Sequence, residues 1–153
     1  MRAMPSPQVP DRRMLVNAWI VQMVQTVVLA GVVLVFVNQL GGAAGTGAKE
    51  WDRYGIYVVL AAAIPAILYV RWFKRILNQD EAAMNARNGE AEPGIRLTLR
   101  RALTLGGALC DLPMATGVLL LMLGGDKRFF IGGVFITLAI RLSYRPFVRR
   151  RAR

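Results

Sequence analysis

The chain has 153 residues, 20 Lys+Arg against 9 Asp+Glu for a formal net charge of +11, one Cys and no His, and 55% of it is hydrophobic. That length suits one domain. The absence of His and the single Cys exclude imidazole acid–base chemistry, His-ligated haem, thiolate-rich metal sites and an internal disulfide, and no cofactor is expected.

Only 19% of the residues are charged, against about a quarter in soluble domains. The apolar residues fall in four long blocks with the charges between them. The blocks cover residues 15–37, 54–73, 102–123 and 129–144. A bilayer core takes about 20 mostly apolar helical residues. The first three blocks meet that length. The fourth is short because Arg141 sits inside it, where its side chain is expected to snorkel to the headgroups beside Arg145. Arg12-Arg13, the apolar run after them and the small residues 41–48 loosely follow a cleaved signal peptide. Residues 14–37 are, however, longer than a signal's apolar region. The expected fold is therefore an all-α integral membrane protein, one domain over residues 1–153, with four transmembrane helices in an antiparallel bundle.

Between the first two blocks, Gly41, Gly42, Gly45 and Gly47 make a flexible connector. After the second block lies a cytoplasmic loop, 74–101. Its first part, through Glu81-Ala82-Ala83-Met84, favours continued helix, with Gly89 as a stop and Pro93-Gly94 as a break. Residues 124–128 form a tight turn between antiparallel helices. The basic tail, 145–153, carries Arg145, Arg149, Arg150, Arg151 and Arg153. It suits anionic headgroups at about 1 kcal/mol per charge. It has no interleaved aromatics for stacking bases, so no nucleic-acid partner is expected.

Positive charge sets the direction. Sixteen of the 20 Lys+Arg fall in the N-terminal segment, the 74–101 loop with its flanks, and the tail together with Arg141. Lys49, Arg53, Lys127 and Arg128 make up the other side. Both termini are expected in the cytoplasm, and a bacterial inner membrane is the expected compartment.

Asp111 is the one acid inside a block. It lies ten residues past Arg101, about 15 Å along a helix, near the middle of its span. A central Asp costs around 2.5–3.5 kcal/mol on insertion scales and faces protein or water by default. Apolar surroundings penalise its charge unless a cation or donors compensate. Pro113 lacks an N–H and frees the carbonyl of Leu109. Gly106, Cys110, Pro113 and Gly117 share one stripe that admits a close neighbour helix. Gln22 and Gln25 lie at matching depth on the first span, which gives an expected ion-binding cluster of Asp111, Gln22 and Gln25. Arg141 is a further possible partner for Asp111, set apart by its position nearer the inner face. Pro65, with Ala62, Ala66 and Tyr69, marks a packing region on the second span. Cys110 reads as a packing residue.

The stretch Ala108-Leu109-Cys110-Asp111-Leu112-Pro113-Met114-Ala115-Thr116-Gly117 resembles the carboxylate-bearing helix of the proteolipid (c-type) subunits of rotary ATPases, in which an acid is followed six positions later by Gly. Ala86-Arg87-Asn88-Gly89-Glu90 is similar in kind to that family's polar loop. The likeness covers residues 54–123 and implies that Asp111 binds H⁺ or Na⁺. The family's Gly/Ala ladder is reduced here to Ala61-Ala62-Ala63 and Ala66. Two functional expectations follow. One is a small non-enzymatic subunit or accessory factor, associating with other membrane subunits or itself. The other is a proteolipid-like H⁺/Na⁺-binding protein.

Overall fold

A computed structural model describes residues 12–39, 49–86 and 93–146. The connector at 40–48, the stop at Gly89 and Arg149, Arg150, Arg151 and Arg153 lie outside the described residues. All regular structure among the described residues is helical: α1 (Arg12–Gln39), α2 (Lys49–Ala86), α3 (Pro93–Cys110), α4 (Leu112–Met122) and α5 (Lys127–Ser143). Three stretches are long and apolar enough to cross a membrane: Arg13–Gln39, Tyr54–Ala86, and Pro93–Met122, which spans α3 and α4. The fourth apolar block forms α5, whose 17 residues are shorter.

The helices alternate in direction. Trp19 of α1 bonds to Arg141 near one end of α5, and Asn38 bonds to Lys127 at the other, so α1 and α5 are antiparallel. Gly55 lies against Phe129, and Ala66 accepts from Tyr144, so α2 runs with α5. Asp80 meets Arg96 at 3.7 Å, which folds α3 back along α2. Arg96 also donates to the Met84 sulfur at 3.3 Å. Most of the expected loop 74–101 is therefore helical hairpin. Its buried face joins Leu77 and Leu99 to the main core; α2 continues to Ala86 as the residues at 81–84 led one to expect, and α3 begins at Pro93, earlier than the span at 102.

The core centres on Phe73, Leu99, Cys110 and Tyr144. The Tyr144 ring lies against Gly106 and 5.1 Å from Phe73, and its hydroxyl donates to the Ala66 carbonyl at 2.7 Å. Glycines set the α4–α5 approach. A Cβ on Gly117 would fall 2.7 Å from the Phe130 Cα, and one on Gly133 would meet the Pro113 carbonyl. Gly106, Cys110, Pro113 and Gly117 are all buried. Pro65 is exposed, so it does not pack against a helix. The buried face of α2 runs through Gly55, Val59, Ala63, Ala66 and Phe73, and Pro65 lies about 100° off it at 3.6 residues per turn.

The turn into α5 is built by its own sequence. Gly124 has φ 87°, Gly125 N–H bonds to the Leu120 carbonyl at 2.8 Å, and Gly124 N–H bonds to Leu121 at 3.1 Å. This paired arrangement closes a helix on a left-handed glycine. Asp126 then caps α5 by accepting from Arg128 N–H at 2.9 Å.

Two substitutions separate contact from composition. Gly117→Ala forces backbone away from backbone and is expected to cost about 1–3 kcal/mol in denaturant unfolding of the detergent-solubilised chain. Gly132→Ala, with nothing within 4 Å of the new methyl, is expected to be neutral or slightly stabilising. Equal effects would show that the close approach does not matter.

Candidate functional site

Pro113 begins the site by local chemistry. It cannot donate to the preceding turn, and the hydrogen-bond ladder breaks between α3 and α4. Asp111 N–H reaches back to Ala108 at 3.2 Å, and Ala115 N–H resumes the α pattern on the Asp111 carbonyl at 2.9 Å. Asp111 keeps helical dihedrals, φ −79° and ψ −13°, and its side chain makes no cap bond. The two helices therefore stack end to end, with the carboxylate projecting sideways from the joint.

Arg141 takes that carboxylate. Its Nη2 donates to Oδ1 at 2.7 Å and Oδ2 at 2.8 Å, and contacts the Gly107 carbonyl at 3.4 Å. Its Nη1 donates to the Gln22 carbonyl. The Arg141 side chain is 7% exposed and that of Asp111 41%. Expected to reach outward to headgroups, Arg141 turns inward instead. The same Nη2 reaches the Gly107 carbonyl and the Asp111 carboxylate, so the side chain spans one turn of the neighbouring helix. An isolated carboxylate in apolar surroundings supplies the pull. Arg145 remains exposed, with its guanidinium 5.7 Å from the Trp19 ring centroid.

The surrounding groups hold the guanidinium in place. Trp19 Nε1–H donates to the Arg141 carbonyl at 3.0 Å. Thr26 Oγ1–H donates to the Gln22 carbonyl at 3.0 Å, the atom that also receives Arg141. The Gln22 amide lies over Gly107, where an added Cβ would come 2.8 Å from its oxygen. Gln22 therefore joins the site through its backbone, while Gln25 reaches it only as a groove-lining residue.

The groove has a volume of about 570 Å³ and runs between α1 and α4. Ile20, Val21, Val24, Val28, Leu29 and Val32 form its α1 wall, with Met114 opposite and Asp111, Arg141, Gln25 and Thr26 as its polar groups. Residue types did not single out Trp19, and they named Arg141 only as a second choice for Asp111 because spacing placed it nearer the inner face. The usable signal was that the block holding the one acid, Asp111, is followed by a block holding one base, Arg141, and opposite charges in a poor solvent seek each other.

Compared with family models, curated proteins and solved structures, the chain shows no match. Its description therefore rests on the chain's own geometry: among the described residues all regular structure is helical, with three membrane-length apolar stretches and an ion pair at a helix joint.

Removing one charge should cost more than removing both. Arg141→Leu is expected to destabilise the chain by about 3 kcal/mol, because it leaves the carboxylate uncompensated. Asp111→Leu combined with Arg141→Leu should cost clearly less. A double-mutant loss equal to the sum of the Asp111→Leu and Arg141→Leu losses would mean that the two residues act independently.

Proposed function

We propose that the chain is a non-enzymatic, multi-pass integral membrane protein of a bacterial inner membrane, serving as a membrane-embedded subunit or accessory factor of a larger assembly. The Asp111–Arg141 pair is the observation that carries this reading. The two charges compensate each other where helices α1, α4 and α5 meet, so they act as an internal fastening rather than a reacting group. The outer surface supports an assembly role. In α1 only 11% of the most apolar stretch is buried within the chain, which leaves its other faces for lipid or neighbouring subunits.

Four spans with both termini cytoplasmic fit this reading. The ends of α5 lie level with Trp19 and Asn38 of α1, so α5 covers most of the slab that α1 covers. The 16-to-4 division of positive charge gives the direction. Arg145 and the arginines after it would meet anionic headgroups on the cytoplasmic side.

The proteolipid-like alternative draws support from the partly open Asp111 carboxylate beside a helix break. Against it stands Arg141. Both carboxylate oxygens already accept from a guanidinium, and a bound Na⁺ would sit next to that positive charge.

Carbodiimides attack protonated carboxyls in apolar surroundings, and an ion-paired Asp111 has no proton to offer. The wild-type chain in membranes should resist labelling at Asp111, and Arg141→Leu should make it reactive. Ready labelling of the wild type, with protection by Na⁺, would instead establish the ion-binding reading. The topology has its own measurement. Cysteines placed at 41–48 should react with an impermeant thiol reagent from the periplasmic side, and reaction only from the cytoplasm would reverse the assignment.

A further inference from the structure

Three parts of the chain carry exposed cations to one level. The Asp80–Arg96 contact sets the register of the α2–α3 hairpin. In an antiparallel pair, stepping back along α2 matches stepping forward along α3, so Arg75 comes level with Arg101, and Lys74 and Arg100 lie beside them. The Tyr144 ring lies against Gly106 and 5.1 Å from Phe73, which brings Arg145 to the same end. Arg71, Lys74, Arg75, Arg100, Arg101 and Arg145 are all exposed. None of the six side chains forms an ion pair among the described residues. No acid lies within the band either. α3 has none, α2 has none between Asp52 and Asp80, and Asp80 faces Arg96. Like charges gathered this way repel one another and call for a counter-charge from outside the chain.

The level of the band identifies that counter-charge. At 1.5 Å per residue, Tyr54 to Arg71 covers about 26 Å and Arg101 to Met122 about 32 Å. Lys127 to Ser143 covers about 24 Å, with Arg145 just past that end. These lengths are comparable with a hydrocarbon thickness of about 30 Å, so the cations lie where phosphate groups begin. Aromatic rings mark the same layer. Trp72 has its ring 4.9 Å from that of Tyr69, and Trp19 lies under the Arg145 guanidinium; such rings collect at headgroup level. Leu68 and Leu105, one turn further into the apolar stretch, are 62% and 52% exposed. An occupant of the band therefore meets an apolar surface directly beside the cations. A soluble acidic chain covers only the cations, whereas a phospholipid brings a phosphate for them and acyl chains for the leucines.

We propose that the α2–α3 end of the bundle binds anionic phospholipid, with Lys74, Arg75, Arg100 and Arg101 on the phosphate groups and the acyl chains along Leu68 and Leu105. Counting cations gives only the direction of the spans; the register brings those of two helices to the same headgroups. The inference rests on the chain lying in a bilayer, but not on its being a subunit of an assembly.

The test places the full chain in phosphatidylcholine membranes with trace spin-labelled lipid, either phosphatidylglycerol or phosphatidylcholine, labelled near the end of an acyl chain. Electron paramagnetic resonance then measures the lipid immobilised against the protein. Phosphatidylglycerol should be held about fivefold more strongly than phosphatidylcholine, the equivalent of one cation at an anionic headgroup. The preference should shrink as salt is raised, a result read on the wild type and independent of any variant's folding. Lys74→Gln, Arg75→Gln, Arg100→Gln and Arg101→Gln together should remove it. The same change at Arg149, Arg150, Arg151 and Arg153 should leave most of it. Equal immobilisation of the two lipids, a preference indifferent to salt, or one that follows the tail substitutions instead would overturn the proposal. Displacement of the labelled phosphatidylglycerol by a single-stranded oligonucleotide would overturn it in favour of nucleic acid. A spectrum with no immobilised lipid of either kind is a separate failure, that of the bilayer placement itself.

Discussion

A carboxylate and a guanidinium meet in the middle of an apolar bundle, and the arrangement around them follows from the cost of leaving either alone. Asp111 is the one acid in an apolar block, and the Arg141 side chain of α5 reaches both it and the Gly107 carbonyl one turn before it. Once paired, the two fix the register of α5 against α3–α4. Arg141 also donates to the Gln22 carbonyl, and Trp19 donates back to the Arg141 carbonyl. α1, with little of its surface buried, is thus held to the bundle by these polar bonds together with apolar contacts at Leu15 and Ala30.

Small residues and proline make the pairing possible. Gly117 and Gly133 bring α4 and α5 into backbone contact, so the guanidinium needs only to cover a single turn. Pro113 interrupts the ladder at the residue whose side chain must project from the joint. Gly106 accepts the Tyr144 ring, and Tyr144 bonds to Ala66, which ties α2 to the same end of α5. A second buried contact, Asp80 with Arg96, repeats the device at the α2–α3 hairpin.

The geometry also bears on the likeness to proteolipid subunits. A carboxylate that binds a cation in turn must be free of a permanent one, and here a guanidinium donates to both of its oxygens. What stays open is one edge of Asp111, beside a mostly apolar groove.

Much of the architecture was legible in the residues. Block length and composition gave the helices, because apolar side chains and unpaired backbone groups leave few other solutions in a poor solvent. Gly124 and Asp126 wrote the turn into α5, and Asp111 stood out as the single acid in an apolar block. Cys110, Gly106, Pro113 and Gly117 could be placed on one stripe by period alone, and all four are buried. Three things needed the tertiary structure. Pro65 falls off the packed face because proline identity does not specify helical phase relative to a neighbour. Gln22 contributes a carbonyl rather than its amide, a choice made by the rotation of α1. Arg141 turns inward because snorkelling outward and pairing inward lie within reach of the same side chain. Sequence spacing measures depth along one helix, and only the offset between α3–α4 and α5 decides which of the two the arginine meets.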